Sequence, residues 1–216
     1  MIKTEFEKFD SLTSLSYNKT IGLFVILGLL ANTLFCFMFG DVFNTISPIA
    51  FIIGYLILSI VAIIIMNKTE SKPILVLCYF LVVISTGMII SNAVSYYKLN
   101  PAFVFEALLI TTLITICMII LGLRKQEFFL KLGNILFGCL FLLIISYIVC
   151  FILKIHLPGL TWISALLFSV YISYDISVAQ RQAKTYKNAI LSATNIYLDI
   201  INLFMDLLEI FGGNDD

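Results

Sequence analysis

LTWISALLFSVYISYDISV, residues 160–178, and AILSATNIYLDIINLFMDLLEIF, residues 189–211, are apolar runs that each carry carboxylates. Spanning a hydrocarbon core of about 30 Å takes roughly 20 residues of α-helix, and both runs have that length. An ionised carboxylate at the centre of such a span costs about 2.5 to 3.5 kcal/mol on insertion scales. Asp175 in the first run and Asp199 in the second therefore read as functional residues that need a partner. The polar link Ala179 to Asn188 makes the two spans antiparallel neighbours and can bring the two carboxyls together. In the second span Asn195, Asp199, Asn202, Asp206 and Glu209 advance by four, three, four and three residues, which puts all five on one stripe of one helix.

Composition extends this reading to the whole chain. Of the 216 residues, 61% are hydrophobic and only 12% charged, about half the charged fraction of a soluble domain. Mean hydropathy is +1.09. The expected class is an all-α membrane protein, a seven-transmembrane-helix bundle. The spans run from about Thr20 to Gly40, Ile46 to Met66, Pro73 to Val94, Ala102 to Leu123, Phe128 to Leu153, Leu160 to Val178 and Ala189 to Phe211. The implied organisation is a cytoplasmic tail over 1–19, a transmembrane domain over 20–211 and a short tail over 212–216. Pro48, Pro73, Pro101 and Pro158 each fall near the start of a span, where the missing N–H is harmless.

Net charge is zero and no basic block is present, which argues against nucleic acid as a partner. Cys36, Cys78, Cys117, Cys139 and Cys150 all lie in apolar runs, without disulfide or zinc spacing. Lys and Arg are biased to one face. Lys3, Lys8, Lys19, Lys68, Lys72, Arg124, Lys125, Lys131, Arg181, Lys184 and Lys187 fall on the side of the N-terminal tail, against Lys98 and Lys154 opposite. The positive-inside rule then puts the N-terminus in the cytoplasm and the C-terminus outside. Short tails and loops point to a bacterial inner membrane.

Other polar residues near the spans have two readings each. Glu106, five residues after Pro101, is an interfacial carboxylate or part of an ion path. Tyr171 and Tyr174 lie on the face of Asp175, where they can donate hydrogen bonds to it or belong to an interfacial aromatic belt. His156 stands in a short outer link as a solvated histidine.

The segments Tyr171-Ile-Ser-Tyr-Asp175 and Ile196-Tyr-Leu-Asp199-Ile-Ile-Asn202-Leu-Phe204, followed by Leu207-Leu208-Glu-Ile-Phe-Gly212, resemble the C-terminal signature of the transmembrane Bax inhibitor motif family. Length, seven spans and short loops resemble its compact bacterial members. The resemblance implies a pH-responsive calcium leak in which Asp175 and Asp199 share a proton and act as sensor and gate, with no enzymatic activity. It also implies a latch at the cytoplasmic end of span two, where relatives have an arginine and this chain has Ile65-Met66-Asn67-Lys68, so that Lys68 takes the latch position. Asp206 and Glu209 stand where relatives often have neutral or basic residues.

The residues alone support the same mechanism. Two carboxyls held close in a low-dielectric site cannot both ionise easily, so the pair retains one proton and titrates as a unit. A carboxyl-to-carboxylate hydrogen bond would tie the last two helices together. Losing the proton leaves two like charges that repel and can coordinate a cation. Calcium takes six to eight oxygens, and two aspartates helped by Asn202, Asn195, carbonyls and water make a weak site suited to a leak. Expected partners are the lipid bilayer, calcium ions and protons, with no cofactor beyond calcium as a permeant or weakly bound ion; protein partners are not specified. Two alternatives remain: a non-conducting membrane protein that modulates partners, and an intramembrane aspartyl protease. The second lacks the Gly-x-Gly-Asp and later Pro-Ala-Leu motifs of presenilin-type enzymes, since Asp199 follows Tyr197-Leu198 and no proline follows Pro158.

Overall fold

The computed structural model describes residues 11–39, 48–96, 101–155 and 157–212. Eight helices account for nearly all of them: α1 Ser14–Phe39, α2 Pro48–Lys68, α3 Lys72–Tyr96, α4 Pro101–Arg124, α5 Gln126–Lys131, α6 Gly133–Leu153, α7 Pro158–Arg181 and α8 Tyr186–Gly212. Six are long and apolar enough to cross a membrane, and α2, which is 21 residues long, contains the further apolar stretch Gly54–Lys68. The seven expected spans are thus seven long helices, and the chain is an all-α, multi-pass integral membrane protein. Pro48, Pro101 and Pro158 are the first residues of their helices and Pro73 the second, where fixed φ suits the first turn. Lys3, Lys8, Lys98 and His156 lie outside the described residues, as does Asp216.

Three boundaries differ from the sequence expectation. The link after α7 is only residues 182–185, since Ala179, Gln180 and Arg181 continue the helix and α8 begins at Tyr186. The fifth span starts at Gly133. Phe128 belongs instead to the separate six-residue helix α5, and Leu132 stands between the two. The first helix begins at Ser14 rather than Thr20, because Thr13 caps it by accepting the Ser16 amide at 3.2 Å. Thr185 caps α8 in the same way, through the Asn188 amide.

The helices pack as two compact units, residues 1–98 with 182–197, and 99–181 with 198–216. In the first, α3 packs against both α1 and α2. Lipid supplies no hydrophobic drive between helices, so association relies on small residues and interhelical hydrogen bonds. Gly28 on α1 lets the Tyr79 hydroxyl and the Tyr197 ring approach its backbone, with the ring within 2.9 Å of where a Cβ would stand. Tyr79 donates to the Phe24 carbonyl at 2.5 Å. Asn32 donates to Tyr197 Oη at 2.5 Å and to Thr86 Oγ1 at 3.4 Å, and Thr86 also pairs with Tyr197. The Ser59 and Ser85 hydroxyls meet at 3.0 Å.

In the second unit, α4 and α7 approach at Gly122, where an added Cβ would stand 2.6 Å from the Ser173 carbonyl oxygen. Ser173 donates to the Met118 carbonyl at 2.6 Å, and Ser177 to the carbonyl of Gly122 at 3.0 Å. Leu136 and Leu143 of α6 pack with Leu167 of α7. Arg181, at the end of α7, forms an ion pair with Glu127 of α5.

Candidate functional site

Helix α8 differs from the other long helices in being strongly amphipathic, with its polar stripe running through the apolar span. The stripe is not presented uniformly. Asn195 is exposed and Asn202 half-buried, whereas Asp199 and Asp206 are only 7% and 8% exposed. Glu209 is half-buried and accepts the Thr161 hydroxyl at 3.0 Å.

Asp199 and Asp175 both belong to the second unit, and the Asp175 carboxylate acts on Asp199 electrostatically. Asp175 is half-buried on α7. Among the described residues, Asp199 Oδ2 is buried without a hydrogen-bond partner. Leaving a buried acceptor unmade costs about 1 to 3 kcal/mol. Tyr171, one turn before Asp175, lies in the field of both carboxylates. Its ring meets Tyr174 edge-on at 6.1 Å and Phe168 at 6.3 Å. Tyr174 turns towards α6, with its hydroxyl 2.9 Å from where a Cβ on Gly133 would stand.

The remaining candidates stand apart from this pair. Glu106 is exposed near the start of α4, and Lys68 is exposed at the end of α2. The lysine that ties down the end of α2 is Lys187 of α8. Its Nζ donates to the Asn67 carbonyl at 3.0 Å and to Glu70 Oε1 at 2.7 Å. It therefore satisfies one of the carbonyls left free at a helix C-terminus and adds a cation where the helix dipole favours one. Lys187 carried no motif in the sequence, which does not say which neighbour the start of α8 faces.

Asp206, on the same stripe, is buried. Ser164 of α7 lies within hydrogen-bonding reach of its carboxyl, and Thr161, which bonds Glu209, stands one turn before Ser164.

The family model described as "Inhibitor of apoptosis-promoting Bax1" matches residues 16–216. An uncharacterized protein of Helicobacter pylori (strain J99) is 30% identical over 133 residues, 58% of this chain and 52% of its own length. The Golgi anti-apoptotic protein of vaccinia virus (strain Lister) is 28% identical over 136 residues, 62% of this chain and 55% of its own length. The chain spans about half the length of the curated relatives it matches. With a family match running from the first turn of α1 to residue 216, the chain belongs to the Bax inhibitor family.

Proposed function

We propose that this protein is a pH-responsive calcium leak, not an enzyme, in which Asp175 and Asp199 share one proton and gate the path. The reading is supported by an aspartate on each of α7 and α8, with Asp175 acting electrostatically on Asp199 and one oxygen of Asp199 buried and unbonded. With the proton in place, a carboxyl-to-carboxylate hydrogen bond joins α7 to α8. Once the proton is lost, repulsion between the charges loosens the joint and the two carboxylates present oxygen ligands to a hard cation. Tyr171 steadies the pair from one turn away. Two carboxylates bind calcium weakly, so the ion also leaves readily.

Tracer calcium uptake into liposomes containing the purified protein tests the reading. Uptake above that of empty liposomes, varying with pH through the neutral range, is expected. The vaccinia relative's name, Golgi anti-apoptotic protein, favours a second reading, a non-conducting regulator that acts through partners; absence of uptake at every pH would select it.

The chain lies in a bacterial inner membrane with its N-terminus in the cytoplasm and its C-terminus outside. A reporter active only outside the cytoplasm should work when fused after Asp216 and fail when inserted at residues 182–185. The reverse pattern would invert the topology.

A further inference from the structure

Asp206 and Glu209 stand one turn apart on α8, and three hydroxyls from two other helices converge on them. Thr161 of α7 donates to Glu209 Oε1 at 3.0 Å. Ser164, one turn further along α7, lies within hydrogen-bonding reach of the Asp206 carboxyl and of the Tyr147 hydroxyl of α6. Thr161 reaches Tyr147 as well, and both carboxylates act on Tyr147 electrostatically. All five residues belong to the second unit. Thr161 and Ser164 are buried, and Asp206 is more than nine-tenths buried among them.

This set is incomplete as a purely structural network. Three hydroxyls surround the two carboxylates, yet among the described residues Asp206 Oδ2 is buried with no hydrogen-bond partner. Neither carboxylate takes part in the ion pairs found among the described residues, which are Arg181 with Glu127 and Lys187 with Glu70. A buried carboxylate oxygen with neither donor nor counter-charge is a costly feature unless something occupies the space it faces.

The geometry points to a second cation site, built by Asp206, Glu209, Thr161, Ser164 and Tyr147, that takes calcium or a similar hard divalent cation. Every ligand is an oxygen, as hard cations require, and two carboxylates balance two positive charges. The arrangement mixes carboxylates with hydroxyls from three helices. That suits calcium, whose coordination is flexible and completed by water, better than magnesium, which demands a near-ideal octahedron. The site is distinct from the Asp175 and Asp199 pair, because Asp206 follows Asp199 by seven residues, about 10 Å along the helix. It stands on its own geometry, whether or not the first pair gates a flux.

Tyr147 supplies the readout, since a phenol beside a bound terbium ion sensitises its emission. Full-length protein carrying Asp175→Asn and Asp199→Asn, in nanodiscs, isolates the second cluster from the first. Terbium is expected to give saturable sensitised emission that calcium displaces. Adding Asp206→Asn with Glu209→Gln should abolish that emission. Thr161→Val, which keeps both charges and the side-chain shape, should weaken terbium binding roughly tenfold, the scale of losing a supporting group at a metal site. Tyr147→Phe, which removes the sensitising phenol, should lower the emission amplitude while preserving the fold. Size-exclusion profiles establish which variants are folded. If the double carboxylate variant does not fold, the Thr161→Val midpoint decides. The proposal is overturned by an absence of saturable emission, by emission that survives loss of both carboxylates, or by a midpoint that Thr161→Val leaves unmoved.

Discussion

Asparagine at either Asp175 or Asp199 is expected to flatten the pH dependence of calcium uptake while leaving the helices inserted. The wild-type response has a definite sign on this mechanism. Lowering the pH restores the shared proton and the bond between α7 and α8, whereas raising it leaves two like charges, so uptake should rise towards the alkaline side. An amide in place of one carboxyl removes the coupled titration altogether. The two substitutions need not give the same level of uptake. In one, the amide can still donate to the surviving carboxylate and hold the joint, and in the other the surviving charge can be left unpaired. They share the loss of pH response, and the double variant should resemble either single one in this respect because the pair acts as a unit. Uptake into liposomes across the neutral range, for the wild type and the three variants, measures this. An unchanged profile in the double variant would end the shared-proton mechanism and move attention to Glu106 or His156 as the titrating group.

The second large effect belongs to Gly122. Alanine there would place its Cβ 2.6 Å from the Ser173 carbonyl oxygen and 3.0 Å from the Ser173 Cα. Both are backbone atoms, so α7 itself has to move, two residues from Asp175. Overpacking of this kind costs about 1 to 3 kcal/mol, and leucine should cost more. Gly138 on α6 provides the control, because a Cβ there meets nothing within 4 Å. Alanine at Gly138 should be neutral or stabilising by about 0.5 to 1 kcal/mol through helix propensity. Thermal unfolding in detergent, followed by size exclusion, compares them; equal stabilities for Gly122→Ala and Gly138→Ala would show that the α4–α7 approach is not tight.

Much of the fold was legible because the hydropathy signal for a membrane helix is strong. What it blurred were the ends, for identifiable reasons. Phe128, Phe129 and Leu130 extend the apolar run before Gly133, yet the turn at Leu132 separates them into α5. At the other extreme, Gln180 and Arg181 look like loop residues but remain helical, because a helix end outside hydrocarbon tolerates polar side chains and Glu127 pairs with Arg181. The carboxylates at Asp175 and Asp199 were legible from their expense in lipid alone. What surrounds Asp206 was not, because Tyr147 and Ser164 reach it only through the packing of three helices, and periodicity within one helix says nothing about which neighbour it faces. The capping of α2 by Lys187 was hidden for the same reason.

Helix α8 also bears on how the protein is assembled in its membrane. Within its most apolar 18-residue stretch 72% of the residues are buried, against 11% for α6. Helix α6 can therefore dissolve in lipid alone, whereas α8 is costly there, since Asp199 would face a penalty of about 2.5 to 3.5 kcal/mol near the middle of an isolated span and Asp206 a further one nearer its end. It is also the last of the seven long helices in chain order, so those that shelter it are already synthesised when it leaves the ribosome. Insertion of α8 is then a partitioning into protein rather than into lipid, and its polar stripe makes the earlier helices a prerequisite for the final one to enter the bilayer.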